Sequence, residues 1–378
     1  MSTNAGLGWP DEAEVASGPI GWPPTPALSE DAQLPQRGNE AEVSSPAPVA
    51  DNLPMATAVR EELAEVSRET DLLRDELVSR ETPLPTPAAS GLVSRETDDA
   101  TWPRPAVRRV IGVANQKGGV GKTTSTVNLA AALAQHGARV LVVDLDPQGN
   151  ASTAFAVEHR AGTPSIYNVL VAGRGLDEVA VPVPDLPGLF CAPATIDLAG
   201  AEIELASMVA RESRLARAVD AMTEKFDFVF VDCPPSLGLL TVNALVAAQE
   251  VMIPIQCEFY ALEGLSQLLR TLELVRSHLN PALHVSTILL TMYDGRTRLA
   301  EQVAQEVRTH FGDLVLAPTI PRSVRISEAP GYGQTVLTYD PSSRGARAYV
   351  DAARELAERS TQAAVAESAN AQSERRTE

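Results

Sequence analysis

The sequence is poor in aromatic residues and cysteines, and it has no long hydrophobic run. Aromatic side chains make up 4% of its 378 residues, and its three cysteines are Cys191, Cys233 and Cys257. An odd number of isolated cysteines argues against a disulfide framework or a cysteine-bound metal, and it favours a reduced, cytoplasmic protein. No stretch of about 18 apolar residues occurs, so no membrane span is expected, and no secretory signal is visible.

Basic residues, Phe and Tyr are scarcest in residues 1–105. This segment has no Phe or Tyr, holds 14 of the 28 prolines, and carries 19 acidic and 7 basic side chains. Its balance of −12 accounts for most of the formal net charge of −18. Such a composition cannot bury enough apolar surface to offset the chain entropy. We therefore predict a disordered extension over 1–105, a folded domain over 106–359 and a flexible tail over 360–378.

Residues 106–359 alternate short apolar runs, rich in β-branched residues, with segments of helical periodicity. The predicted strands are 109–114, 139–143, 228–231, 251–255 and 285–290, and the clearest helices are 124–135, 262–279 and 298–311. This alternation predicts an α/β fold with a doubly wound, mainly parallel sheet that is covered by helices on both faces. Ligands of such sheets bind at the carboxyl ends of the strands.

A glycine-rich loop joins the first predicted strand to the first predicted helix. Its glycines let the backbone N–H groups turn inward as an anion nest, and the following helix adds its positive end. Lys122 is placed to reach the β- and γ-phosphates of ATP, and Thr123 to ligate Mg²⁺. The residues predicted to bind the nucleotide in this loop are Lys117, Gly118, Gly119, Val120, Gly121, Lys122, Thr123 and Thr124.

The loop departs from the usual Gly-x-x-x-x-Gly-Lys-[Ser/Thr] pattern in one informative way. Gln116 occupies the first glycine position, and Lys117 adds a second lysine five residues before Lys122. One nucleotide in one subunit does not need this second lysine. Lys117 is therefore either a solvated surface residue or a residue with a role outside its own nucleotide site.

Three aspartates stand at the ends of predicted strands. Asp144 and Asp146 follow the second strand at alternating positions, and Asp232 follows another apolar strand in the manner of a Walker B acid. A lone aspartate at such a position is usually a helix cap or a turn residue. Three of them beside a phosphate loop favour metal binding and orientation of a water molecule, which phosphoryl transfer requires.

The variant loop resembles the deviant Walker A ATPases, a class of P-loop NTPases. Other motifs narrow the resemblance to the ParA/Soj family of chromosome- and plasmid-partition proteins. The matching stretches are Ala-Asn-Gln-Lys-Gly-Gly-Val-Gly-Lys-Thr-Thr at 114–124, Val-Asp-Leu-Asp-Pro-Gln-Gly-Asn at 143–150, Val-Asp-Cys-Pro-Pro-Ser at 231–236, Tyr-Ala-Leu-Glu-Gly-Leu at 260–265 and Ile-Pro-Arg-Ser-Val-Arg-Ile-Ser-Glu-Ala-Pro at 320–330. The resemblance covers roughly 107–356 and leaves out the extension.

The resemblance implies specific roles for the loop and the acids. Lys117 would cross to the phosphates of a partner subunit, so that ATP joins two subunits face to face. Lys117, Lys122 and Asp146 would be catalytic, with Asp146 orienting the attacking water. Thr123, Asp144 and Asp232 would lie at the Mg²⁺.

The resemblance also implies contacts to adenine and to DNA. Pro321 and Ser323 match the loop that contacts adenine, although the family more often has Asn at the position of Ser323. Arg296 and Arg298, on a loop after a strand, match a region that the family uses for DNA binding without sequence preference. Arg322, Arg325, Arg344 and Arg347 could extend this basic surface. Such binding requires only phosphate neutralisation, and it should weaken steeply with salt.

By resemblance, the chain is expected to be a cytoplasmic, nucleoid-associated DNA-segregation ATPase with ATP and Mg²⁺ as cofactors. An ATP-dependent homodimer would bind double-stranded DNA nonspecifically, and a ParB-type centromere-binding partner would stimulate hydrolysis and release. A positioning ATPase of the MinD type would need a basic amphipathic C-terminal helix, and the polar, Ala-rich end of the chain has no large apolar face. A DNA-binding scaffold with a vestigial ATPase is disfavoured by the intact Lys122, Asp146 and Asp232.

The extension contains a repeated pentapeptide. Val-Ser-Arg-Glu-Thr occurs at Val66–Thr70, Val78–Thr82 and Val93–Thr97. The repeat is either a short docking motif, a solvated duplication or a trace of selection on the gene. The centromere-like site of the resembling systems contains GTTTCACGTGAAAC, which read in frame encodes this pentapeptide. Different codons in the three copies would contradict the last hypothesis.

Overall fold

The computed structural model describes residues 101–258 and 263–377. The three pentapeptide repeats and the predicted extension up to residue 100 lie outside the described residues, so the disorder predicted there stays a prediction. The boundaries predicted at 105 and 359 also stay predictions.

The described residues form a seven-stranded sheet. Its strands are β1 (Arg109–Val113), β2 (Val140–Asp144), β3 (Val181–Pro182), β4 (Leu189–Ala192), β5 (Phe228–Asp232), β6 (Glu250–Gln256) and β7 (His284–Thr291). Their order across the sheet is β3-β4-β2-β5-β1-β6-β7. Every neighbouring pair is parallel except β3 and β4 at one edge. This arrangement confirms the predicted α/β class and the mainly parallel sheet.

Helices cover both faces of the sheet. They are α1 (Lys122–Gln135), α2 (Asn150–Ala154), α3 (Ile166–Leu170), α4 (Leu198–Ala206), α5 (Arg214–Asp220), α6 (Leu239–Ala247), α7 (Glu263–His278), α8 (Arg298–Phe311), α9 (Val324–Glu328), α10 (Val336–Tyr339) and α11 (Arg344–Thr377). Among these described helices, none combines the length and the apolar character that a membrane span requires.

Two hydrophobic layers explain the continuous apolar runs of the strands. Neighbouring residues of β1 enter opposite layers, Val110 on one face of the sheet and Ile111 on the other. Helices α1 and α11 pack on the second face, while α4 to α8 pack on the first. A parallel strand between two helical layers is buried on both sides, and it therefore lacks the polar alternation of a half-exposed strand.

Helix α11 runs beside α1 and is tied to the sheet at several points. The Tyr349 hydroxyl lies 3.4 Å from Ser125 Oγ of α1. Arg109 of β1 donates to the Leu356 carbonyl at 2.9 Å and forms an ion pair with Glu250 of β6. The helix continues to Thr377, beyond the predicted end of the domain.

Candidate nucleotide-binding site

The predicted phosphate loop lies between β1 and α1, at the carboxyl edge of the parallel sheet. Gly119 and Gly121 have φ values of +76° and +88°, and Gly121 caps the N-terminus of α1. These positive φ values favour glycine, because a side chain is strained there. The turn directs backbone N–H groups and the start of a 14-residue helix toward one place, as an anion site requires.

Two side chains, Asn115 at the start of the loop and Thr291 of β7, fix the loop in position. The Asn115 side chain donates through Nδ2 to the Pro254 carbonyl of β6 at 2.8 Å, and its Oδ1 accepts the Lys117 N–H at 3.0 Å. Thr291, at the end of β7, donates its hydroxyl to the Val120 carbonyl at 2.8 Å. The loop is therefore held by the strands on the β6–β7 side of the sheet, which the sequence analysis did not foresee.

Lys122 is buried at the base of the loop. Its Nζ lies 3.3 Å from the Lys117 carbonyl, and no carboxylate lies within ion-pair distance among the described residues. Burial lowers the pKa of Lys122, while the nearby Asp232 raises it. An ammonium group without a paired carboxylate, aimed at an anion nest, is well suited to bind phosphate.

Asp144 and Asp146 have different surroundings at the end of β2. Both carboxylate oxygens of the buried Asp144 accept hydrogen bonds. Oδ1 accepts the Asp146 N–H, and Oδ2 accepts the N–H and the hydroxyl of Ser152. Burial raises the pKa of Asp144 to about 6. Asp146 accepts the Gln148 N–H at 3.0 Å and lines the pocket described below. Of the two, Asp146 is therefore the carboxylate that reaches the pocket.

Asp232 ends β5 in register with Asp144 of β2. Its Oδ1 accepts the Thr126 hydroxyl at 3.3 Å, but its Oδ2 is buried and receives no hydrogen bond from residues 101–258 or 263–377. Burial and the neighbouring Asp144 raise the pKa of Asp232 to about 8. A buried carboxylate oxygen without a partner is costly, and a divalent cation or its bound water would satisfy it. The site therefore fits the predicted Mg²⁺.

No cluster of three or more His, Cys, Asp or Glu side chains that could hold a metal is found in the part of the chain that the structure describes.

A pocket of about 600 Å³ opens at the loop. Its walls come from the phosphate loop and α1, from the segment after β2, from Pro235, and from residues after β7. The lining residues are Gly118, Gly119, Gly121, Lys122, Thr123, Thr124, Val127, Asn128, Asp146, Gln148, Asn150, Thr153, Ala154, Pro235, Met292, Ile326, Ser327, Pro330, Gly331 and Gln334. This volume suits a nucleotide-sized ligand.

The predicted adenine-contact residues border this pocket. Pro321 forms a β-bridge with Tyr293, and Ser323 precedes α9, whose Ile326 lines the pocket. Their contact with adenine stays a prediction.

Lys117 points away from this pocket's base. Its Nζ lies 3.7 Å from a carboxylate oxygen of Glu258, which follows β6, and both side chains are partly exposed. The two lysines of one loop thus have separate surroundings. Lys122 lines the pocket, whereas Lys117 is not among the lining residues and is partly exposed beside Glu258.

The predicted DNA-contact arginines fall into two groups. Arg296 is 90% exposed and forms an ion pair with Asp294 at 2.8 Å, and Arg325 is paired with Glu328 and Asp340. Other exposed arginines near the carboxyl edge have no carboxylate within ion-pair distance among the described residues. These unpaired arginines are Arg298, Arg322, Arg344 and Arg347.

Two supporting residues were missed by the sequence analysis. Ser152 of α2 holds Asp144 and also accepts the Ala194 N–H at 3.2 Å. Asn128 of α1 donates to the Thr124 carbonyl at 2.7 Å and accepts the Val336 N–H at 2.8 Å. Helical spacing could have revealed Asn128, because it lies one turn after Thr124 on the same face. No comparable signal marked Ser152.

The fold and the site together define the class of the protein as a P-loop ATPase. A family model described as an AAA domain matches residues 108–285. The chain is 51% identical over 249 residues to the sporulation initiation inhibitor protein Soj of Bacillus subtilis, covering 66% of this chain and 98% of that protein. It is 51% identical over 253 residues to the chromosome partitioning protein ParA of Caulobacter vibrioides, covering 66% and 94%. The chain belongs to the ParA/Soj family of chromosome-partitioning ATPases.

Solved structures show the same architecture. One is a protein from Mycobacterium smegmatis named cobyrinic acid a,c-diamide synthase, with a bound ATP analog and magnesium. It has 41% identity and a TM-score of 0.56, covering 67% of this chain and 93% of that chain. Another is the septum site-determining protein MinD of Pyrococcus horikoshii with Mg-ADP, at 25% identity and a TM-score of 0.54, covering 66% and 96%.

Proposed function

We propose that this partitioning ATPase is a nucleotide-controlled dimer that segregates DNA. An ATP-bound sandwich dimer binds nucleoid DNA nonspecifically, and a ParB-type centromere-binding partner stimulates hydrolysis and thereby releases the DNA. The observation that carries the proposal is the separation of Lys122, buried at its own phosphate site, from Lys117 at the surface. A lysine that its own nucleotide does not need is available for the nucleotide of a second subunit.

In this proposal, each residue of the site has a separate role in phosphoryl transfer. The loop N–H groups and Lys122 bind the phosphates of ATP. Thr123 and Asp232 hold the Mg²⁺, whose charge would neutralise the phosphate oxygens. Asp146 orients the attacking water, because it reaches the pocket. Asp144 would act near the Mg²⁺ without being its main ligand, since its oxygens already accept three hydrogen bonds.

The DNA-binding surface is formed by exposed arginines near the carboxyl edge of the sheet. Arg322 donates its backbone N–H to the Tyr293 carbonyl, which brings the loops after β7 and before α9 together. Gly345, next to Arg344, packs against Ile326 of α9. The arginines of three segments therefore lie near one another. Phosphate neutralisation by such a group binds any DNA sequence.

A membrane-positioning function is the second candidate, because the MinD structure shares the fold. Co-sedimentation of the protein with DNA or with liposomes, in the presence of ATP, distinguishes the two candidate functions. We expect the chain to sediment with duplex DNA when ATP and Mg²⁺ are present, and to remain in solution with anionic liposomes. Sedimentation with liposomes and not with DNA would contradict the proposal.

A further inference from the structure

Helix α4 exposes an apolar stripe on the side that faces away from the sheet. It consists of Ile196, in the turn before the helix, and of Ala199, Ile203 and Ala206 at helical spacing, which together we call the α4 stripe. Ile196 is 62% exposed and Ile203 is 80% exposed. Just beyond the helix, Val209 is 90% exposed. Exposed apolar residues that are contiguous, rather than scattered, mark interaction surfaces.

The surroundings of the α4 stripe carry more acidic than basic side chains, and Arg211, which donates to the Ala206 carbonyl at 2.6 Å, is itself paired with Glu212. No Lys, Arg or His occurs from residue 175 to residue 210, a segment that includes β3, β4 and α4. Helix α4 itself carries Glu202 and Glu204, and Asp197 precedes it. The exposed arginines proposed to bind DNA come instead from the segments after β7. A surface of this kind repels nucleic acid and attracts a cationic partner.

Helix α4 is connected to the nucleotide pocket through Glu202. Its carboxylate accepts the Leu240 N–H at 3.3 Å, in the first turn of α6. It also packs so closely on Gly238 that a Cβ there would clash with it. Residues 233–238 join Asp232 to α6, and Pro235 in this segment lines the pocket. Movement of α4 would therefore be transmitted to the segment that follows Asp232.

We propose that the α4 stripe is the docking surface for a basic amphipathic helix of the ParB-type partner. The apolar face of that helix covers Ile196 and Ile203, and its Lys or Arg residues face the acids of α4. Docking acts on hydrolysis through Glu202, because Glu202 and Ile203 are adjacent in the same helix. This inference rests on the proposed function, in which the partner accelerates hydrolysis.

The test compares ATP turnover of the full chain with duplex DNA, in the absence and presence of the purified ParB-type protein of the same organism. The variant is Ile203→Asp, and the matched control is Leu274→Asp on α7, since Leu274 is also apolar and is 62% exposed. We expect Ile203→Asp to weaken partner binding about tenfold or more and to abolish the acceleration. Basal turnover and DNA binding should stay unchanged, and Leu274→Asp should behave like the unaltered chain.

The possible failures are distinguishable. If the partner accelerates the unaltered chain and Ile203→Asp equally, the docking inference is wrong and the proposed function stands. If the partner does not accelerate the unaltered chain, the proposed function is wrong and the docking inference falls with it. If Ile203→Asp instead abolishes the ATP-dependent dimer, a second copy of the chain covers the α4 stripe, and the assignment to the partner is overturned.

The variant Glu202→Gln tests the proposed coupling between α4 and the nucleotide pocket separately from partner binding at the α4 stripe. We expect this variant to bind the partner with unchanged affinity, while the ratio of stimulated to basal turnover falls several-fold. A loss of partner affinity would place Glu202 in the docking surface alone, and an unchanged ratio would show that docking does not act through it. Either result would overturn the proposed connection.

Discussion

At the residue scale, Asp232 has an energetically costly environment. None of the residues that the structure describes gives its Oδ2 a hydrogen bond, and its pKa of about 8 lies far above its ordinary value of 3.8 because the carboxyl is buried beside Asp144. Between about pH 4 and 8, Asp232 is therefore protonated in the folded protein and ionised in the unfolded chain. A bound cation would stabilise the ionised form instead.

This arrangement predicts a pH dependence of stability. The contribution of Asp232 to the free energy of unfolding is fully present below about pH 4, and it is lost as the pH rises through about 8. Asn cannot ionise, so the stability of Asp232→Asn relative to the unaltered chain should rise between about pH 4 and 8 and stay level above that. Thermal unfolding without nucleotide or Mg²⁺ measures this difference. Glu224→Gln, at an exposed acid, is the control. A constant difference between Asp232→Asn and the unaltered chain would contradict the explanation.

At the scale of elements, the phosphate loop depends on the positive φ angles of Gly119 and Gly121. Gly121 combines a φ of +88° with ordinary contact distances, so a methyl group would fit there but would strain the backbone. Gly118 has no positive φ and no atom within 4 Å of an added Cβ. Because an added Cβ meets no steric clash at either position, a difference between the two alanine variants reports backbone strain.

We expect Gly121→Ala to destabilise the nucleotide-free protein by about 1–2 kcal/mol. For a domain of this size, that corresponds to a lowering of the melting temperature by about 2–8 °C. Gly118→Ala should leave the melting temperature nearly unchanged. Differential scanning calorimetry compares the two variants. Equal melting temperatures would show that the left-handed conformation at Gly121 is not required for folding.

The local parts of the fold and site were predictable from the sequence. The five strands predicted from apolar runs are all present, because a strand buried on both faces leaves a continuous apolar signal. Strands β3 and β4 were missed because they are short and flanked by Pro and Gly residues. The loop and Asp146 were predictable since their chemistry lies within a few consecutive residues. The contacts of Thr291 and Ser152 depend on tertiary packing, and the sequence does not mark them.

At the scale of the whole molecule, charge is distributed unevenly across the sheet. The segment from residue 175 to 210, at the β3–β4 edge, has no basic residue, while exposed arginines follow β7 at the opposite edge. The structure also refines the expectation for Arg296, because this arginine is already paired with Asp294. Arg322 and Arg344, for which the described part of the chain shows no carboxylate within ion-pair distance, are better candidates for phosphate contacts.

We expect the double substitution Arg322→Ala and Arg344→Ala to weaken DNA binding equally for unrelated duplex sequences. If each arginine contacts one phosphate, the slope of log K against log salt should fall by about 2. Fluorescence anisotropy with two duplexes at several salt concentrations gives both quantities. Arg217→Ala, at an exposed arginine of α5 on the other side of the molecule, is the control. An unchanged slope would place the DNA-binding surface elsewhere.

In the proposed mechanism, ATP joins two subunits through Lys117. The most direct measurement is the molar mass of the Lys117→Ala variant by light scattering, with a nonhydrolysable ATP analogue and Mg²⁺, after separate confirmation that the variant binds the nucleotide. We predict a nucleotide-bound monomer for Lys117→Ala and a dimer for the unaltered chain under the same conditions. A normal dimer of Lys117→Ala would contradict the claim.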